Sequence, residues 1–138
     1  MKPRNIQGYV EIAHTADWAI KVWAPDLAGL LGEAARGMVA LMEITFEGPK
    51  LINRQIELGA EDAEELLVSF LSELLFIGES EGIGFVNAYI SLQGNHLSAI
   101  VDLRKILSQR KEIKAVTFHN LVIRECAEGL ETVIVFDV

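Results

Sequence analysis

Residues 61–78 read EDAEELLVSFLSELLFIG, and their reading decides the architecture. Ala63, Leu66, Leu67, Phe70, Leu71, Leu74 and Leu75 recur every three or four positions, so a helix gathers them on one face. Asp62 with Glu65 three residues later resembles a capping box, and Gly78 offers a place to close the far end. Glu61, Asp62, Glu64 and Glu65 suit the positive end of the helix dipole. A helix with one apolar stripe has to bury that stripe against another layer.

Working outward, the same spacing occurs once more. Leu27, Leu30, Leu31, Ala34, Ala35, Met38 and Met42 form a second stripe, with Pro25-Asp26 supplying a break and an N-cap just before it. The remaining apolar residues alternate with period two. Tyr9–Ile12, Ile20–Ala24 and Leu51–Leu58 read as strands. Phe85–Leu92 and Leu97–Leu103 flank Gly94-Asn95, which fits a tight hairpin turn of the Gly-first type. Ala115–Ile123 and Thr132–Val138 form a last pair across ECAEGL. Two helices and six or seven mostly antiparallel strands predict an α+β fold: a two-layer sandwich whose sheet carries both main helices on one face.

The chain has 138 residues, the size of one domain, and residues 1–6 read as a polar, frayed lead-in. Half of it is apolar (51%), enough for a core without disulfides, and the single Cys126 cannot form an intramolecular disulfide. No signal-like start and no apolar run near the ~20 residues of a membrane span occur, so a cytoplasmic protein without membrane contact is expected. A formal net charge of −8 opposes broad neutralisation of phosphate backbones and disfavours DNA as a partner. Five of the twelve basic residues nevertheless fall between Arg104 and Lys114, a run that reads most simply as a solvated loop.

Several residues could carry chemistry. Asp17 and Asp137 border strongly apolar strands, where a lone charge is costly to desolvate. If the first and last strands approach, Asp17, Asp137 and a carboxylate at Val138 make an oxygen-ligand site suited to a hard cation. The plainer alternative is a turn cap at Asp17 and a solvated Asp137. His14 in HTAD is weak evidence alone, since a histidine beside a turn more often bonds a backbone carbonyl. No nucleophile elbow or phosphate loop accompanies it. In EIKAVTFHNLVI (112–123), strand alternation turns Lys114, Val116, Phe118 and Asn120 one way, and Ala115, Thr117, His119 and Leu121 the other. His96 beside the hairpin turn reads as surface.

Taken together, four blocks resemble the archease family. HTADWAIKVWAPDLAGLLGEAARGM (14–38) is similar to its opening strand, turn and helix, and EDAEELLVSFLSELLFIGESEGIGF (61–85) to its second helix, acidic loop and strand. IKAVTFHNL (113–121) resembles the family's Lys-Ala-Val-Thr-Phe-His strand, and VIVFDV (133–138) its closing Asp plus one apolar residue. The resemblance runs from about residue 7 to 138, as one domain.

The resemblance implies a protein cofactor, not an enzyme. Family members activate the GTP-dependent RNA ligase that joins 3′-phosphate to 5′-hydroxyl ends in tRNA splicing and RNA repair. They promote guanylylation of its histidine and multiple turnover. A divalent cation, calcium with magnesium or manganese as alternatives, is implied at Asp17 and Asp137, with Val138 as a third ligand. Lys114 falls on the family's functional lysine, and His14 and His119 are implied as partner-facing; indirect contact with RNA or GTP follows. Two departures stand out. The first helix opens Asp26-Leu27-Ala28-Gly29 where many members carry glutamates, shifting any acidic contact to Asp26 or Glu33. Val101-Asp102 and LSQRKE replace a Gly-Glu step and a histidine-bearing loop. Competing readings are a general chaperone or adaptor, and a small hydrolase using His14 and Asp17.

Overall fold

Asp26 and Asp62 set where the helices begin. Each has an extended backbone, and its side chain accepts the amide hydrogen of the residue three positions on, Gly29 and Glu65 respectively, both at 2.8 Å. The computed structural model describes residues 5–12 and 18–138. Its helices are α1 (Leu27–Leu41) and α2 (Ala63–Glu81). Its strands are β1 (Gly8–Ile12), β2 (Trp18–Ala24), β3 (Ile44–Phe46), β4 (Ile52–Gly59) and β5 (Ile83–Gln93). They continue with β6 (His96–Gln109), β7 (Ala115–Val116), β8 (Arg124–Cys126) and β9 (Gly129–Asp137).

The α+β sandwich expected from the sequence is the fold observed, with a more divided sheet. Among the described residues nine strands form two sheets, where one of six or seven strands was expected. The first has the order β1-β2-β9-β7, with β8 also on β9. The second is built on β6, which pairs with β5, β4 and β3. All pairings are antiparallel. Both helices and both sheets share one core, in which Leu30, Met38, Phe70, Leu97, Leu103 and Phe136 are almost wholly buried.

Three boundaries depart from the sequence reading. α2 runs past Gly78 to Glu81 and closes at Gly82, whose left-handed backbone (φ +69°) lets its amide reach the Gly78 carbonyl at 3.0 Å. The extra turn is held from outside, because Arg54 on β4 grips Glu81 through two 2.7 Å hydrogen bonds. Those bonds, and the attraction of the charges, raise the guanidinium pKa and hold the Glu81 carboxyl below the ordinary carboxylate range.

The second departure concerns the basic run. Residues 104–109 are not a loop; they continue β6, because Ile44–Phe46 forms an additional strand against them. Lys105 then pairs with Glu47 at 3.0 Å, and Arg104 donates to the Gly48 carbonyl and lies over the Phe46 ring. The third departure is at β7, which spans two residues instead of the nine expected from 115 to 123. Gly94-Asn95 behaves as read, with Gly94 at φ +59° between the paired Gln93 and His96.

Candidate functional site

The residues singled out on the last strands meet at one end of the first sheet. β9 is its central strand, with β2 on one side and β7 on the other. Trp18 pairs with Phe136, and Ala115 pairs with Asp137. The Lys114 amide donates to the Asp137 carbonyl at 2.8 Å, so the main chain binds the two candidate residues together. Both side chains are exposed, while Val138 is half-buried and packs on the core. His14 and Asp17 lie outside the described residues.

Beyond β7 the chain leaves the sheet. Thr117 still bonds Val135, its amide at 3.1 Å and its hydroxyl at 2.9 Å both reaching that carbonyl oxygen. The same hydroxyl oxygen accepts from the His119 amide at 3.2 Å, which starts a turn. Asn120 adopts φ +51°, a left-handed conformation that ends any strand alternation. The expectation that Phe118 and Asn120 share a strand face with Lys114 is therefore corrected. His119 is exposed on this turn, its Nε2 beside the Asn120 amide nitrogen at 3.2 Å. The far end is pinned where the Ile123 amide donates to Glu64 on α2 at 3.0 Å.

Sequence reasoning missed Lys111 and Trp18. Lys111 donates its amide to Met42 at 3.1 Å, and its ammonium lies 3.9 Å from Glu43 and 5.2 Å from the Trp18 ring centroid. A cation four residues before a strand and a tryptophan opening another carry no shared local pattern, so only the packed chain reveals the pair. The acids offered by the first helix do other work. Asp26 caps α1, and the buried Glu33 accepts from Gln7 at 2.8 Å and Arg36 at 3.0 Å.

For a hard cation the donor chemistry at this edge fits in kind. Asp137 presents an exposed carboxylate at a strand end. Among the described residues no three His, Cys, Asp or Glu side chains gather into a metal cluster, and Asp17 is not among them.

With this geometry in place, comparisons with known proteins are informative. The model of the Archease protein family matches residues 9–138. The chain belongs to the archease family. It is similar to Protein archease of Methanosarcina barkeri, with 31% identity over 143 residues covering 94% of this chain and 95% of that protein. The archease of Thermococcus gammatolerans is 29% identical over 125 residues, covering 84% and 87%. Among solved structures, an archease of Thermotoga maritima, described as a possible chaperone, superposes with a TM-score of 0.69. It is 26% identical and covers 92% of this chain and 94% of that one. A solution structure from Methanobacterium thermoautotrophicum gives the same score and identity over 95% and 99%. The α+β architecture is thus the archease architecture. Among the described residues, no helix is long and apolar enough to cross a membrane.

Proposed function

We propose that this archease is a protein cofactor of a GTP-dependent RNA ligase in the cytoplasm. In this reading it promotes guanylylation of the ligase's histidine, so that the ligase turns over repeatedly on 3′-phosphate and 5′-hydroxyl RNA ends in tRNA splicing or repair. It has no catalytic residue of its own. The observation that carries the reading is the hydrogen bond from the Lys114 amide to the Asp137 carbonyl, which brings two residues with exposed side chains to neighbouring main-chain positions at one end of the sheet. Membership of the archease family supports a cofactor role.

Asp17 and Asp137, with Val138, would hold a divalent cation, calcium before magnesium or manganese. When bound, the cation supplies positive charge that offsets phosphate charge at the ligase's nucleotide site. The chain's own residues do the rest. Lys114 donates to a phosphate oxygen or to a ligase carboxylate, and its main chain is anchored by the hydrogen bond from its amide to the Asp137 carbonyl. His119, on the turn that Thr117 and Glu64 pin, faces the partner, and His14 is assigned the same partner-facing role.

The test combines the protein with the ligase of its own organism, GTP, a divalent cation and RNA ends, and counts ligation events per ligase. Multiple turnover is expected only with the wild-type protein present. An unchanged turnover number sinks the reading. The alternative, a general chaperone, draws on the description given to the Thermotoga protein. It predicts suppressed aggregation of unrelated clients, insensitive to Asp137→Asn.

A further inference from the structure

Beside the Lys114–Asp137 edge lies a half-open cavity of about 410 Å³. It sits between the C-terminal halves of α1 and α2 and the ends of β3, β5 and β6. Met38, Met42, Leu74, Ile83, Phe85 and Ile113 form its buried walls, while Val39, Leu75 and Ile106 are half-buried toward the mouth. α2 contributes no side chain to the lining at Gly78. A Cβ built there would meet only the Ile83 carbonyl, at 3.7 Å. Interiors are normally filled to crystal-like density, and a void of this size leaves its lining without dispersion partners.

What the cavity adjoins identifies its occupant. The segment Arg110–Lys114 forms one side of the mouth with its first four residues and reaches Asp137 with its fifth. One continuous segment thus links the mouth to Lys114 and Asp137, and a partner surface that follows it reaches both. The rim is charged: Arg110 is exposed, and the ion pairs among the described residues leave it unmatched, as they do Glu79 and Glu112. Two methionines in the wall suit an inserted side chain whose shape they can follow.

We infer that this cavity receives a large apolar side chain from the partner protein. That side chain is carried on a charged loop, which turns a carboxylate toward Arg110 and a cation toward Glu79. The inference rests on the cofactor reading above and names the surface by which the partner is held. Buried apolar anchors in pockets dominate the affinity of such interfaces, with the charged rim setting orientation.

The experiment measures binding of the full-length protein to the ligase by calorimetry, without RNA or GTP. Gly78→Leu fills the cavity at a helical position where leucine is the better helix former, so folding is not compromised. Val39→Phe fills it from α1 and serves if the first variant is unstable. Both are expected to weaken binding by about tenfold or more while the unfolding midpoint stays at or above that of the wild type. Arg110→Glu should weaken binding as well. A wild type that fails to bind the ligase sinks the cofactor reading and this inference together. A wild type that binds and activates, alongside filled variants that bind equally well, sinks the inference alone. Anilinonaphthalene sulfonate provides a second readout. It should fluoresce in the wild-type cavity and be displaced by the ligase, whereas a probe that stays bound in the complex assigns the cavity to a small molecule and overturns the proposal.

Discussion

The ammonium of Lys111 lies 5.2 Å from the centroid of the Trp18 ring, and this contact fastens the Arg110–Lys114 segment to the strand that pairs with β9. The cation meets the face of the ring, where the quadrupole is negative. Lys111→Ala should cost about 0.5–1 kcal/mol in urea unfolding, the range of cation–π pairs at accessible sites. It should also shift the emission of Trp18 measured in a Trp23→Phe background. An unshifted spectrum would show that the contact is not populated in solution.

At the site itself, metal binding and partner activation should separate. Asp137→Asn removes a carboxylate from an exposed strand end and leaves the core intact. It should weaken calcium binding and reduce ligase turnover together. Lys114→Ala should leave calcium affinity unchanged and reduce only turnover. Equilibrium dialysis beside the ligation assay checks both. Calcium affinity that is insensitive to Asp137→Asn removes that residue from the ligand set.

The Arg54–Glu81 pair gives a pH signature. Its hydrogen bonds and charges hold the Glu81 carboxyl below its ordinary value. A group whose folded-state pKa is depressed adds stability above its unfolded pKa and loses it as pH falls through the folded value. Glu81→Gln should therefore be less stable than wild type at neutral pH, with the gap closing on acidification. The effect should be modest, because both side chains are well exposed. Parallel denaturation curves from neutral to acidic pH test this, and a gap that widens in acid contradicts it.

In the core, Phe70 on the inner face of α2 is completely buried. Phe70→Ala should cost roughly 3–5 kcal/mol, through lost transfer energy and the cavity left behind. At the start of the same helix, Asp62→Ala should cost about 1 kcal/mol by freeing the Glu65 amide. Chemical denaturation ranks the two, and the order is the sensitive point: the cap should never rival the core residue.

Much of the fold can be read from local pattern. The stripes of α1 and α2, their Asp26 and Asp62 caps and the Gly94-Asn95 turn depend on neighbours within a few positions, and all are observed. Of the candidate site, Lys114 and Asp137 were singled out from sequence, and the Lys114 amide donates to the Asp137 carbonyl. Lys111 and Trp18 were not, since 93 positions separate them and neither belongs to a local pattern.

The sequence by itself therefore determined the class and the two helices, because periodicity and capping are short-range physics, and it singled out the residues of the candidate edge. Tertiary pairing decided the remainder. Ile44–Phe46 became a strand only because Ile106–Gln109 lay alongside it, and that pairing turned a basic run into an extension of β6. β7 stopped after two residues because Thr117 and Asn120 turned the chain toward α2. The cavity is lined by the C-terminal halves of α1 and α2 together with Arg110–Ile113, segments far apart in the chain. Each of these depends on what distant segments place within bonding distance, and a local pattern does not encode that.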